Sequence, residues 1–328
     1  MSISRKLSSV TNVFKGEYQA CDTGIFWHHT PAYIGSEISN QAGLQIFRTI
    51  YQHLRHRPNL KNLDRELKGY AEQLIEEGYI IINDVVPAEI FEKIQKEHSE
   101  GIDPERSKVT INKSGGVIGL FGHLDPGLNP NIVKYILDNP RFLALVSSVQ
   151  GKKLKYGPGA WIHREFMNDD AERDTELNVV LHADVAYPTF KAFYRINRND
   201  ESNGALVMVP GSHKLDRKRM KHEYLFSIDQ ARLKKGKTTK FPLHENGRMM
   251  VTGPVYKKEE LKEVQLCSDP NSIVIANTMG FHRRGGSKIG AHRDQVILSF
   301  RYVESLHHKL YPRFGIDQSV RLKNRDLI

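Results

Sequence analysis

Two cysteines in 328 residues, Cys21 and Cys267, exclude a disulfide framework and leave no thiolate cluster to bind a metal. Long apolar runs are missing as well: no stretch reaches the roughly twenty consecutive apolar residues that a membrane-spanning helix needs. The amino-terminal stretch MSISRKLSSVTNVFKGEYQA has neither an unbroken apolar core nor the small-residue cleavage site of a secretory signal, so a cytoplasmic protein is expected. No segment repeats at a fixed period, which argues against a repeat architecture. Acids are the scarcer charge, 38 Asp and Glu against 48 Lys and Arg, a formal balance of +10. A field of that sign concentrates anions, which favours an anionic substrate, a membrane surface or nucleic acid as partner, and it is silent on fold.

What is present is 39% hydrophobic residues in a chain long enough for one large domain with additions or for two modest ones. Residues 38–78 read as two or three packed helices, because Leu44, Phe47, Ile50, Tyr51 and Leu54, then Leu63, Leu67, Tyr70, Ala71 and Leu74, recur at three- and four-residue spacing. The period changes at 78–98, GYIIINDVVPAEIFEKIQKEH. Tyr79 to Val86 is a β-rich apolar run, Pro87 marks a helix start, and Ile90, Phe91 and Ile94 form a helical stripe. From about Leu154 the pattern turns to strands, at 154–166, 175–184, 189–197, 204–209, 248–252, 272–276 and 294–303, separated by turn residues. Many short strands without regular intervening helices predict an antiparallel sandwich or barrel, of which the double-sheet jelly roll is one closed solution. Between the strands, 213–240 is an insertion in which Lys and Arg far outnumber acids. It reads as a solvated surface segment or as a basic lid over an anionic substrate.

The chemistry gathers at His182-Ala183-Asp184, closing the run ELNVVLHAD. Residues two apart on a strand point the same way, so one imidazole and one carboxylate converge. A second histidine would complete a facial triad that leaves three positions open on iron(II). His123-Leu124-Asp125 has the same spacing, but Pro126 and Gly127 follow at once and make it a turn with Asp125 bonded to local backbone. About twenty residues after the later triplet comes NGALVMVPGSHK, 203–214, and then NSIVIANTMGFHRRGGSKIGAHRDQVILSFRY, 271–302, with His282, a Gly-rich turn and Arg293 opening another strand.

HAD, NGALVMVPGSHK and a distal His with an Arg eleven residues later together resemble the phytanoyl-CoA dioxygenase (PhyH) family of iron(II)/2-oxoglutarate oxygenases. GYIIINDVVPAEIFEKIQ is similar to that family's opening strand and helix, so the resemblance runs from about Gly78 to about Tyr302. It implies a mainly β fold with flanking helices, built on a double-stranded β-helix (jelly roll, cupin-like) core. The expected organisation is a helical extension over 1–77 packed on a domain spanning 78–328, with the basic, lid-like insertion at 213–240.

Carried over residue by residue, the resemblance makes His182, Asp184 and His282 the ligands of iron(II), and pairs Arg293 with the distal carboxylate of 2-oxoglutarate. A planar guanidinium suits a bidentate carboxylate, and neutral imidazoles with an ionised carboxylate suit a divalent metal. His292 competes with His282 for the third position, although it falls on the opposite side of its strand from Arg293. His213, in the PGSH turn, matches a family position that is usually structural. Two departures bear on the cosubstrate: Arg284 stands where a small hydroxyl residue is common, and Phe193 where Trp is common. Asn178 and Thr278 are further candidate polar contacts.

The implied reaction consumes 2-oxoglutarate and O2, releases succinate and CO2, and hydroxylates, desaturates or cyclises at an unactivated C–H bond. Asp184 argues against halogenation, since related halogenases replace this carboxylate by a small residue. Trp161, His163 and Arg164, on a strand preceding the triad, are candidates to line the substrate pocket. With the basic balance they favour a small or medium-sized anionic metabolite, an acyl thioester or a natural-product intermediate. Two other classes compete. A non-catalytic jelly-roll binding protein has no need of His182, Asp184, His282 and Arg293 together. A nucleic-acid-binding or modifying protein rests on charge alone, without a recognition motif or regularly interleaved aromatics.

Overall fold

The computed structural model describes residues 36–114, 117–151, 159–167, 180–184, 188–233, 248–251 and 253–300, all within one compact unit, Ala20–Phe300. Asn178, Cys21, and the outer parts of the expected strands at 154–166, 175–184 and 294–303 lie outside these residues.

Three helices come first: α1 (Glu37–Gln41), α2 (Leu44–Arg55) and α3 (Arg65–Glu76). The Asp64 carboxylate accepts the Leu67 N–H at 2.8 Å and so caps α3, which buries Leu67, Ala71 and Leu74 as its spacing predicts. Helix α2 departs from its pattern. Its apolar residues Phe47, Ile50 and Leu54 are exposed, while Gln45, Arg48 and Thr49 are buried. The reason is a polar partner: Gln45 Nε2 donates to the Glu223 carboxylate at 2.8 Å.

Helix α3 ends at Gly78, whose φ of +86° only glycine adopts readily, and the chain enters β1 (Tyr79–Ile82), then α4 (Ala88–Gly101) behind Pro87. A hairpin that the sequence pattern did not reveal follows, β2 (Val109–Ser114) and β3 (Val117–His123). It crosses α4 so closely that a Cβ on Gly122 would overlap the Gly101 carbonyl. After one π-helical turn (Ile132–Leu137) and α5 (Pro140–Gln150), the barrel strands are β4 (Gly159–Met167), β5 (His182–Ala183), β6 (Phe190–Arg195) and β7 (Leu206–Met208). Helix α6 (Arg217–Leu233) lies within the basic insertion, and β8 (Met249–Met250), β9 (Val264–Gln265), β10 (Ile273–Asn277), β11 (His282–Arg284) and β12 (His292–Phe300) complete the described strands.

They form two antiparallel sheets, one ordered β1-β10-β6-β12-β4-β3-β2 and the other β8-β5-β11-β7-β9: a double-stranded β-helix, mainly β with flanking helices. Strand alternation divides the larger sheet cleanly. Ile80, Ile162, Ala192, Tyr194, Ile275, Val296 and Leu298 pack outward with Leu74, Ile94 and Leu145 of the helices in one apolar core. The opposite face looks across to the smaller sheet, where Phe193, Val274 and Ala276 meet Leu206 and Met208. Among the described residues no helix is long and apolar enough to cross a membrane.

Candidate metal centre and anion site

The cross-strand register of β5 and β11 sets His182 directly opposite His282, and the two rings lie 4.5 Å apart between centroids. Each imidazole is oriented by its own strand. His182 Nδ1 is 2.8 Å from the Val180 carbonyl and His282 Nδ1 is 2.9 Å from that of Gly280, in both cases two residues back. A carbonyl can only accept, so Nδ1 carries the proton and Nε2 keeps its lone pair. Those Nε2 atoms stand 3.8 and 3.9 Å from Asp184 Oδ1, whose backbone is fixed by donation from Asp184 N to the Thr278 carbonyl at 2.9 Å. One donor atom from each of His182, Asp184 and His282 falls within 4.8 Å of the others, and all three residues are buried. Two imidazole nitrogens and one carboxylate oxygen suit a divalent first-row metal such as iron(II).

The protonation states agree with ligation. Burial, then the Arg248 and His282 charges, hold the His182 pKa well below its ordinary value, and burial brings that of His282 down to about 4. Burial alone would raise the Asp184 pKa, but Lys191 and Arg248 more than reverse it and keep the carboxylate ionised. Lys191 Nζ lies 2.6 Å from Oδ2 and Arg248 Nε 3.4 Å from Oδ1. Neither cation was anticipated; the one available signal for Lys191 was its strand parity with Phe193.

Helix α6 braces both histidines of the triad from outside the barrel. His222 Nε2 contacts the Met250 carbonyl at 2.9 Å, and Met250 pairs with His182 across β8 and β5. Arg219, 1% exposed, donates to the Ser212 carbonyl at 2.8 Å and the Met279 carbonyl at 3.0 Å, and its guanidinium sits 4.6 Å above the Phe281 ring. Ser212 Oγ accepts the Phe281 N–H at 2.7 Å, so the turn bearing the Gly280 carbonyl is held on both sides. Glu223 neutralises Arg219 at 3.1 Å.

A second polar cluster lies in the same interior, between the two sheets. Arg284, two residues past His282 and therefore about 7 Å along the same side of β11, donates to Glu165 Oε1 at 2.7 Å. Arg293 Nη2 meets both Glu165 oxygens at 3.1 Å, and its Nη1 donates to the Gly204 carbonyl. Burial would raise the Glu165 pKa, yet Arg293 and Arg284 bring it down to about 2. His163 faces Glu165 at 3.8 Å and accepts from Gln295 at 3.0 Å.

The remaining expected residues scatter. Trp161 shares the interior parity of His163 and Glu165. Arg164 does not: alternation turns it to the outer face, where it grips Asp294 with two bonds of 2.6 Å, so its expected place in the pocket is corrected. Thr278 serves through its carbonyl, while its hydroxyl is 3.5 Å from the Thr189 carbonyl. Phe193 lies under the Arg195 guanidinium at 5.4 Å. His292 is half exposed beside Asp294, away from the triad. His213 contacts the Ile75 carbonyl at 2.9 Å, a structural role, and Asp125 accepts the Gly127 N–H at 2.7 Å within its turn.

This triad in a double-stranded β-helix defines a metal-dependent enzyme class, and the sequence comparison is specific: the profile of the phytanoyl-CoA dioxygenase (PhyH) family matches residues 74–288. The chain belongs to that family. Among curated proteins nothing matches it. Solved structures similar to the chain include the epimerase SnoN in complex with Fe3+, alpha ketoglutarate and nogalamycin RO, at 15% identity and a TM-score of 0.48 over 77% of this chain and 92% of that one. HygX from Streptomyces hygroscopicus, with nickel, 2-oxoglutarate and hygromycin B bound, is similar at 15% identity and 0.45 over 74% and 88%. EctD from S. alaskensis, with 2-oxoglutarate and 5-hydroxyectoine, is similar at 15% and 0.43 over 76% and 83%.

Proposed function

We propose that the protein is an iron(II)- and 2-oxoglutarate-dependent oxygenase that hydroxylates, desaturates or cyclises at an unactivated C–H bond of a small or medium-sized anionic metabolite. The observation that carries this reading is the convergence of His182 Nε2, His282 Nε2 and Asp184 Oδ1 in a barrel interior that also holds Arg284 and Arg293. The domain beginning at residue 78 is the catalytic unit in this reading, and the helical segment before it is its flank.

His182, Asp184 and His282 would hold the iron, and Arg293 would receive the distal carboxylate of the cosubstrate. Bound together, iron and 2-oxoglutarate supply the oxidising chemistry that consumes O2 and yields succinate and CO2 beside the oxidised product. The chain's own contribution is preparation. Both imidazoles are neutral with their lone pairs turned inward, and Asp184 is kept ionised by Lys191 at the oxygen facing away from the two Nε2 atoms. Burial of all three ligands keeps bulk water from the reacting atoms.

Anaerobic reconstitution with iron(II) and 2-oxoglutarate tests the proposal. A weak visible charge-transfer band is expected in the wild type and is expected to vanish in His182→Ala and Arg293→Ala, and succinate release then reports turnover in a substrate screen. No band, with iron shown to be unbound, would overturn it.

A further inference from the structure

Arg195 was not marked by any motif, yet it is 1% exposed on the interior face of β6. It stands opposite Gln295 in the β6–β12 register, and Gln295 follows Arg293 by two residues on the same face, so the two arginines are diagonal neighbours. Three of its surroundings hold it in place. Nε donates to Ser268 Oγ at 3.2 Å, Nη1 donates to Gln295 Oε1, and the Phe193 ring lies beneath the guanidinium. Gln295 is itself tied to His163 at 3.0 Å.

The hydrogen bonds of this cluster do not close. Arg195 Nη2 and Arg293 Nε are both buried and have no hydrogen-bond partner among the described residues. Burial and the neighbouring Arg293 also disfavour the charge on Arg195, so a bound anion would be stabilising beside it. Glu165 is shared by Arg284 and Arg293, whereas no carboxylate contacts Arg195 among the described residues. Buried charged donors without acceptors are costly, and two of them on adjacent guanidinium groups match the two oxygens of one carboxylate.

We propose that Arg195 is a cosubstrate-binding residue, receiving the distal carboxylate of 2-oxoglutarate together with Arg293. Glu165 and Arg284 form the standing counter-pair that keeps Arg293 oriented. The two arginines select a diacid over a 2-oxo acid with an apolar end. This inference rests on the oxygenase reading above.

The test titrates the anaerobic iron(II) protein with 2-oxoglutarate and with 2-oxopentanoate, which lacks the distal carboxylate, following the charge-transfer band. Arg195→Gln is expected to weaken 2-oxoglutarate by about tenfold or more, to leave 2-oxopentanoate and iron binding unchanged, and to recover in part in Arg195→Lys. Gln295→Glu covers the case in which Arg195→Gln does not fold, because it gives Arg195 an internal carboxylate and is expected to produce the same selective loss. Unchanged 2-oxoglutarate affinity, or equal weakening of both acids, would overturn the proposal. Absence of a band with either acid in the wild type would instead remove the oxygenase reading on which it stands.

Discussion

Replacing Arg219 by Met probes how α6 supports the metal centre. The side chain is buried and makes charge-assisted bonds to two carbonyls and to Glu223. Its loss leaves Glu223 as a buried carboxylate without its cation, a change that costs about 3–5 kcal/mol. In a domain of this size that corresponds to a fall in Tm on the order of 6–15 °C. The double variant Arg219→Met with Glu223→Leu removes the stranded charge too, so it should be more stable than the single variant by about 2 kcal/mol. Calorimetry on the four proteins of the cycle measures this coupling. Cobalt(II) or iron(II) affinity should fall in the single variant, since Arg219 steadies the Met279–Gly280 turn whose carbonyl orients His282. A Tm within 2 °C of wild type for Arg219→Met, or a double variant that loses the sum of the two single effects, would refute the reasoning.

Acid should destabilise the fold through its buried histidines. Burial takes His163 and His213 from 6.5 to about 4, and His222 to about 3. A lowered histidine pKa means that the unfolded chain takes up the proton first, so stability falls as pH drops from about 6.5 towards 4, by about 1.4 kcal/mol per pH unit for each histidine. Denaturant midpoints at pH 7, 6 and 5 check it, and a flat profile contradicts it. Arg164→Ala should lower stability by about 1–3 kcal/mol through loss of the bonds to Asp294 while leaving iron and 2-oxoglutarate binding unchanged; altered cosubstrate affinity would return Arg164 to the site. Gly122→Ala should cost about 1–3 kcal/mol or more, read by chemical denaturation, because its methyl group meets the fixed Gly101 backbone; a neutral effect would show that the hairpin yields.

The triad was legible because period-two spacing in a strand and a distal histidine survive without knowledge of packing. The core strands 189–197 and 272–276 were legible for the same reason. Arg164 shows the limit: a strand pattern gives alternation but not parity, and one residue decides between the interior and the helix-facing side. Helix α6 was hidden because it buries Arg219, His222, Glu223 and Gln230, so its inward face carries the residues that ordinarily mark an outward one. Helix α2 has the same inversion, and the partnership of Gln45 with Glu223 accounts for it. Lys191 and Arg195 were missed because a cation on a strand reads as surface until the sheet opposite is known.

The two triad histidines take their orientation from carbonyls in their own immediate backbone. An imidazole set in this way takes its direction from a main-chain carbonyl two residues back, and for His282 the turn that bears this carbonyl is itself held by Ser212 and Arg219. Loops that touch neither these carbonyls nor helix α6 can therefore be lengthened or exchanged without re-aiming the two imidazoles. In a laboratory setting, new loops grafted away from those supports should leave iron affinity unchanged.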